Sequence, residues 1–308
     1  LHILPTLHES PDIVGTITSF GATETGLPRG IPVVAGAGDM GALAVGNGDT
    51  TPSTACTTIG TAGHIALHCD TFPERLDHRL WVMCHAVPGK YFWHGLVMTG
   101  GHSLAWFLDN FGEMEKVKAS SQKGNAYDLL LDEAAKVSAG SGGLIFLPFL
   151  DGAATPYHNS AAKASFIGAT SHTTKATFTR AVLEGVAYNF RDSFELLANL
   201  GYTVDNVTAG EGGSRHPLWP KIIADVLGLP VNILSELESS ALGAAMIAGV
   251  GCGVWRDFQE ATDLAIHTTE HIVPDSDNHQ LYTKQYQEYQ QAYKALEPLY
   301  QSRVTDST

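Results

Sequence analysis

One aspartate and one glycine-rich turn lie close together near the start of this 308-residue sequence. Asp39 follows a short apolar run, Ile31–Ala35, which predicts a buried strand, and it precedes small and apolar residues that predict a helix. The helix dipole favours the ionised form of a carboxylate in the first turn, and such a carboxylate can accept a proton from a hydroxyl. A purely structural role is the alternative, because aspartate is common at helix starts.

The glycine-rich turn is Gly60–Gly63, with the sequence GTAG, between two apolar runs. Glycines leave backbone N–H groups uncovered and Thr61 adds a hydroxyl, so the turn can hold phosphate oxygens. A second such turn, Gly210–Ser214, precedes a predicted helix, Trp219–Leu227, whose first N–H groups also suit an anion. Neither turn contains the lysine of a Walker-type loop, so backbone donors and Mg²⁺ would have to balance the phosphate charge.

The elements that must position these residues alternate between short strands and helices, which predicts an α/β fold. Alternating apolar residues predict antiparallel strands, and periodic ones predict helices. The strands are expected at Ser53–Ile59, His64–Leu67 and Tyr91–Val97, and the main helices at Met98–Phe111, Thr173–Leu200 and His279–Gln301. Four tyrosines on the last helix are expected to pack against the domain. Arg180 and Glu184 predict a surface ion pair, with a catalytic Glu184 as the alternative.

Composition excludes several classes of protein. The formal net charge of −14 disfavours binding to nucleic acid or to an anionic membrane. No apolar run is long enough to cross a bilayer, and no secretory leader is visible, which favours a cytoplasmic protein. The cysteines lack CxxC spacing and are expected to be reduced core residues; they are Cys56, Cys69, Cys84 and Cys252. A zinc site is a minor alternative, from His68, Cys69, Cys84 and His85.

Several motifs in order resemble one enzyme family. The run VVAGAGDMGALAVGNG, followed by TTIGTAG, resembles the FGGY carbohydrate kinases and is most similar to the xylulokinases. The resemblance continues through Phe146–Asp192, Ala209–Val231 and Ser239–Trp255, so it covers most of the chain. It implies an actin-like ATPase (ribonuclease H-like) domain, with a mixed sheet and flanking helices, plus the tail of a second such domain. Residues 1–50 would be the remnant of an N-terminal sugar-binding domain, and residues 51–308 the nucleotide-binding domain.

The resemblance also implies a reaction and its residues. The expected reaction is ATP-dependent phosphorylation of a sugar hydroxyl, most of all D-xylulose to xylulose 5-phosphate, with Mg²⁺ and with Asp39 as the general base. No side-chain metal ligand is predicted, and the residues expected to bind the nucleotide are Gly60, Thr61, Gly63, Gly101, Gly212 and Gly213. The expected partners are the sugar and the missing N-terminal domain, and a homodimer is left open. Alone, the 308 residues are expected to be inactive.

Two departures from the family pattern leave alternatives open. The family usually has Gly-Glu-Arg-Thr-Pro where this chain has Gly152-Ala153-Ala154-Thr155-Pro156, which predicts altered substrate or interface contacts. Glu211 stands where a glycine or aspartate is usual, so nucleotide binding is expected while the preferred nucleotide is left open. The alternatives are a kinase for another sugar or polyol, such as gluconate, ribulose or glycerol, and a non-catalytic actin-like nucleotide-binding fragment.

Overall fold

A computed structural model describes residues 3–305, and the side chains of residues 3–302. The strands are β1 (Ile13–Thr16), β2 (Pro32–Val34), β3 (Thr54–Ile59), β4 (Gly63–Cys69), β5 (Trp81–Cys84), β6 (Tyr91–Val97), β7 (Ile145–Leu147), β8 (Ser165–Ile167), β9 (Asn206–Gly210), β10 (Val231–Leu234) and β11 (Thr268–Ile272). The helices are α1 (Ser19–Thr25), α2 (Asp39–Gly46), α3 (Gly100–Phe111), α4 (Glu113–Gln122), α5 (Ala126–Ala135), α6 (Lys175–Asn199), α7 (Leu218–Leu227), α8 (Ser239–Gly251), α9 (Phe258–Ala265) and α10 (Ser276–Thr305).

A seven-stranded mixed sheet forms the centre of the molecule, in the order β11-β10-β9-β3-β4-β6-β5. Strand β9 runs parallel to both β3 and β10. The β3, β4 and β6 strands are antiparallel neighbours, and β5 and β11 close the two edges in antiparallel pairs. The predicted α/β fold, with a mixed sheet and flanking helices, is therefore confirmed, and so are the three predicted antiparallel strands.

The two faces of the sheet follow from the two-residue period of its strands. Along β3, Ala55 and Ile59 face the main core, which contains residues of α3, α6, α7 and α10. Cys56, between them, faces the opposite side, where it packs with Met40, Leu43 and Ala44 of α2. Helix α2 precedes the predicted domain boundary at residue 50, yet it packs on the sheet of the unit that follows.

Helix α2 is held against α8 by two glycines that face each other. A Cβ atom added to Gly243 would overlap the carbonyl oxygen of Ala42, and one added to Gly46 would overlap that of Ser239. Only glycine therefore lets the two helix backbones approach this closely. This contact fixes the position of α2, and with it the position of Asp39 at the start of that helix.

The C-terminal helix α10 packs on the main core through its tyrosine stripe, as the sequence predicts. Tyr282, Tyr286, Tyr289 and Tyr293 are all buried. The hydroxyl of Tyr286 donates a 2.8 Å hydrogen bond to the buried carboxylate of Asp192 on α6. Burial of aromatic side chains with a satisfied polar tip is a strong source of packing free energy.

The predicted surface ion pair of Arg180 and Glu184 is wrong in its location. The two side chains do pair, at 2.8 Å, but both are buried. The Glu184 carboxylate also accepts hydrogen bonds from the Gly140 N–H, the Ser141 hydroxyl and the Tyr282 hydroxyl. Helix α10 and the residues before β7 cover this face of α6, so the pair is an internal structural link and Glu184 has no open path to a substrate.

Three further expectations need correction. The run Ile31–Ala35 contains β2, but this strand is mostly exposed, because it pairs only with β1 and only Val34 packs against the cluster formed by α2, α8 and α9. Of the four cysteines, Cys84 and Cys252 are exposed and are not core residues. In the described part of the chain, no group of three or more His, Cys, Asp or Glu side chains could hold a metal ion, so the zinc alternative finds no support.

Within residues 3–305, no helix has the length and apolarity needed to span a membrane.

Candidate functional site

The turn Gly60–Gly63 connects β3 to β4 and lies directly against the start of α3. The Gly101 N–H donates to the Gly60 carbonyl at 2.8 Å, and the His102 N–H donates to the Thr61 carbonyl at 3.0 Å. A Cβ atom on Gly101 would overlap the Gly60 carbonyl, so glycine is needed for this approach. This contact alone is a structural reason for glycine at position 101. It also places the backbone of Gly101, a predicted nucleotide-binding residue, directly beside the backbone of the turn.

The second glycine-rich turn follows β9 and lies on the other side of the first. A Cβ atom on Gly213 would be 2.5 Å from the side chain of Ile59 on β3, which shows how closely the two turns pack. Nothing lies within 4 Å of the Cβ position of Gly212, so its backbone faces open space. The two turns and α3 thus converge, although their residues are far apart in sequence.

A cavity of about 370 Å³ opens where these elements converge. This volume is within the range of about 300–1,000 Å³ that is usual for small-molecule sites. Five of the six residues predicted to bind nucleotide line it, namely Gly60, Thr61, Gly101, Gly212 and Gly213. The sixth, Gly63, does not line it, because its Cβ position faces the ring of Phe190 in the core.

The sequence did not indicate most of the other residues that line the cavity. They come from α3, from α5 and the residue before it, and from the start of α7 and the residues that precede it, and include His102, Leu104, Asn125, Tyr127, Asp128, Leu131, Arg215, His216 and Trp219. The α5 residues belong to an ordinary amphipathic helix, and no motif marks them. The lining combines glycine backbone, aromatic and apolar side chains, and polar or charged side chains, so the cavity offers both polar and apolar contacts to a small molecule.

Asp39 is the first residue of α2 and is exposed. Its Oδ1 atom accepts a 2.8 Å hydrogen bond from the Met40 N–H, so the carboxylate lies at the positive end of the helix. It does not line the cavity. Its position at an open surface leaves it accessible to a substrate.

Two histidines locate Asp39 relative to the glycine-rich turn. His64 directly follows Gly63, and its Nδ1 atom is 3.1 Å from Nε2 of His94 on β6. Burial lowers the pKa of both imidazoles, to about 4 for His94, and the negative charge of Asp39 acts to raise both. The Asp39 carboxylate is therefore close enough to act electrostatically on His64, the residue that directly follows the turn.

The fit of a magnesium ion can be judged from the available ligands. The described residues offer no cluster of three side-chain ligands. Mg²⁺ is usually held by one or two carboxylates together with substrate phosphates and water, so an all-protein cage is not required. An open cavity beside a glycine-rich turn, with the Asp128 carboxylate in its lining, would fit an ion that is held mainly by its ligand and by water.

Comparison with known proteins identifies the family to which this chain is similar. Residues 59–252 match the FGGY family of carbohydrate kinases, C-terminal domain. A xylulose kinase of Staphylococcus epidermidis is 32% identical over 96% of this chain and 58% of its own length. An autoinducer-2 kinase of Escherichia coli is 31% identical over 95% of this chain and 56% of its own length. The chain thus spans less than three fifths of the length of these relatives.

Solved structures agree with the sequence comparison. The xylulose kinase of Rhodospirillum rubrum superposes with a TM-score of 0.82 at 33% identity, over 97% of this chain and 58% of that one. The gluconate kinase of Lactobacillus acidophilus shares the fold, with a TM-score of 0.84 at 24% identity, over 97% of this chain and 58% of that one. This chain belongs to the FGGY family of carbohydrate kinases.

Proposed function

We propose that this chain is the nucleotide-binding part of an ATP-dependent sugar kinase. The observation that carries the proposal is the convergence of two glycine-rich turns on one cavity, whose lining includes Gly60, Thr61, Gly101, Gly212 and Gly213. Uncovered N–H groups and the Thr61 hydroxyl would hold the phosphates, and the wall formed by α5 and α7 would hold the nucleoside. The nucleotide-binding unit is residues 51–308, with α2 packed on it.

Asp39 is the proposed general base. Phosphoryl transfer depends mainly on positioning and on charge stabilisation, so the protein has to bring the acceptor hydroxyl in line with the terminal phosphate. An exposed carboxylate in the first turn of α2, within electrostatic reach of the end of the phosphate turn, is suited to accept the hydroxyl proton. When bound with ATP, Mg²⁺ would neutralise phosphate charge.

The acceptor site would be completed by a further part of the protein. The relatives are much longer than this chain, and the small β1–β2 sheet exposes apolar side chains, including Ile13 at 54% and Val14 at 47%. A two-stranded sheet is marginally stable alone, and exposed apolar surface of this kind is usual where another domain packs. We propose that an N-terminal domain covers this surface and supplies most contacts to the sugar.

Reconstitution tests this proposal. The 308-residue chain alone should transfer no phosphate from ATP to D-xylulose, and mixing with a separately produced N-terminal domain should restore ATP-dependent phosphorylation. The measurement is formation of ADP and sugar phosphate. A normal rate from the isolated chain would contradict the two-part arrangement, and no transfer from the mixture to any sugar would contradict the proposed activity.

D-xylulose is the first choice of acceptor, because the xylulose kinase of Staphylococcus epidermidis matches at 32% identity. The autoinducer-2 kinase of Escherichia coli matches almost as well, at 31%, so a different polyhydroxylated acceptor is the second candidate. The family usually has a charged pair where this chain has Ala153 and Ala154, and this difference favours contacts to the acceptor or at an interface that differ from those usual in the family. A panel of xylulose, ribulose, gluconate, glycerol and the autoinducer would decide, with the highest kcat/KM identifying the substrate.

A further inference from the structure

Glu211 has an unusual backbone conformation in the second glycine-rich turn. Its φ and ψ angles are 70° and 178°, a region that is occupied almost only by glycine. The Glu211 N–H donates to the Leu237 carbonyl at 3.2 Å, and the Ser214 N–H donates to the Glu211 carbonyl at 3.1 Å. The surrounding structure therefore holds a residue with a long charged side chain where a glycine would be less strained.

The Glu211 carboxylate lies beside the phosphate turn. Its Oε2 atom is 3.7 Å from the position that a Cβ of Gly60 would occupy, and Gly60 lines the cavity. Among the described residues, Glu211 has no ion-pair partner, since Arg215, the nearby arginine, points to Glu238 at 3.9 Å. Burial and the charge of Glu238 both raise the pKa of Glu211, as expected for a carboxylate that lacks a cation.

This arrangement conflicts with the binding of a bare polyphosphate. The cavity would receive several negative charges next to the turn, and a carboxylate a few ångströms away would repel them. A divalent cation between the two removes the conflict, because Mg²⁺ commonly bridges a carboxylate and phosphate oxygens.

We propose that Glu211 makes the cavity selective for the magnesium complex of the nucleotide, by contacting the cation directly or through its water and by repelling the metal-free nucleotide. This inference rests on the proposed function, since it assumes that the cavity binds a nucleoside triphosphate. Glu211 does not itself line the cavity, but its carboxylate lies beside Gly60, which does, and the turn itself offers only backbone donors and the Thr61 hydroxyl.

The test is binding of ATP to the 308-residue chain by isothermal titration calorimetry, with excess Mg²⁺ and with EDTA. In the unmodified chain, Mg²⁺ should lower the Kd for ATP by about tenfold or more, the effect of one nearby charge after screening. In Glu211→Gln, metal-free ATP should bind about tenfold more tightly, and the magnesium effect should fall below about threefold. Glu211→Gly should behave in the same way and relieves the backbone strain, which keeps the test valid if the glutamine variant folds poorly.

Glu236→Gln is the matched control. It removes one negative charge from an exposed residue that precedes α8, it keeps an oxygen for the Glu238 N–H, and it should leave the ratio of the two Kd values within about threefold of the unmodified chain. A magnesium effect that is equal in Glu211→Gln, Glu211→Gly and the unmodified chain would overturn the inference while leaving the proposed function intact. No binding of ATP under either condition would overturn the proposed function, and this inference with it.

Discussion

Replacement of Asp49 by asparagine should change how the stability of the protein depends on pH. Asp49 follows α2 and is fully buried. Its Oδ1 atom accepts a 2.9 Å hydrogen bond from the His68 N–H, whereas its Oδ2 atom has no partner among the described residues. Burial raises the pKa of Asp49 from 3.8 to about 8, and the hydrogen bond from His68 only partly opposes this.

The sign and size of the effect follow from proton linkage. Between pH 3.8 and about 8 the folded protein keeps the proton on Asp49 and the unfolded chain has lost it, so stability falls as pH rises. The slope for one group is about 1.4 kcal/mol per pH unit, which amounts to about 3 kcal/mol between pH 5 and pH 7. Asparagine has nearly the shape of the protonated acid and keeps an oxygen for the His68 N–H, but it cannot ionise.

The assay is urea unfolding at pH 5, 6, 7 and 8, followed by tryptophan fluorescence and circular dichroism. The difference in the free energy of unfolding, Asp49→Asn minus unmodified, should increase by about 1.4 kcal/mol per pH unit from pH 5 to 7 and level off above about pH 8. Burial also lowers the pKa of His85 and of His94, each to about 4, and these two groups make stability rise with pH. Because the variant and the unmodified protein share this contribution, it cancels in the difference between their free energies of unfolding.

Asp263→Asn is the matched control, because Asp263 is exposed on α9. Its difference from the unmodified protein should not vary with pH over the same range. A difference for Asp49→Asn that is equally flat from pH 5 to 7 would show that Asp49 is ionised in the folded state, contrary to this prediction.

Two further predictions concern packing. Gly243→Ala should lower the free energy of unfolding by about 2–4 kcal/mol, because the added methyl group overlaps the α2 backbone. Gly15→Ala is the control, because nothing lies within 4 Å of the added Cβ atom, and equal urea midpoints for the two variants would contradict the close contact between α2 and α8. Tyr282→Phe should cost about 1–3 kcal/mol by removing the hydroxyl that donates to the buried Glu184 carboxylate. Tyr91→Phe, which removes a hydroxyl without a hydrogen bond to any described residue, should cost little, and similar losses in both variants would argue against the buried network.

The sequence predicts the elements of this fold well where periodicity is strong. The three antiparallel strands and the long helix α6, capped by Thr174, lie where the alternation and the capping residue place them. Periodicity does not show which elements cover a given face. Arg180 and Glu184 look like a surface pair along α6, and only the distant helix α10 buries them.

The candidate site was predictable only in its glycine-rich turns. Gly60, Thr61 and Gly212 belong to motifs, and they line the cavity. Tyr127 and Asp128 line it too, but the sequence of their helix shows only an amphipathic pattern and no ligand-binding motif. Their approach to the turns depends on the packing of α5 beside α3 and α6, which is a property of the tertiary structure.

Asp39 is proposed to accept the proton of the acceptor hydroxyl during phosphoryl transfer. The direct measurement is kcat of Asp39→Asn in the chain reconstituted with the proposed N-terminal domain, together with the Kd for ATP in the presence of Mg²⁺. The kcat should be lower by roughly 10²–10⁴-fold with an ATP affinity close to that of the unmodified protein, because Asp39 lies outside the cavity. A variant that binds ATP normally and turns over at a near-normal rate would contradict it.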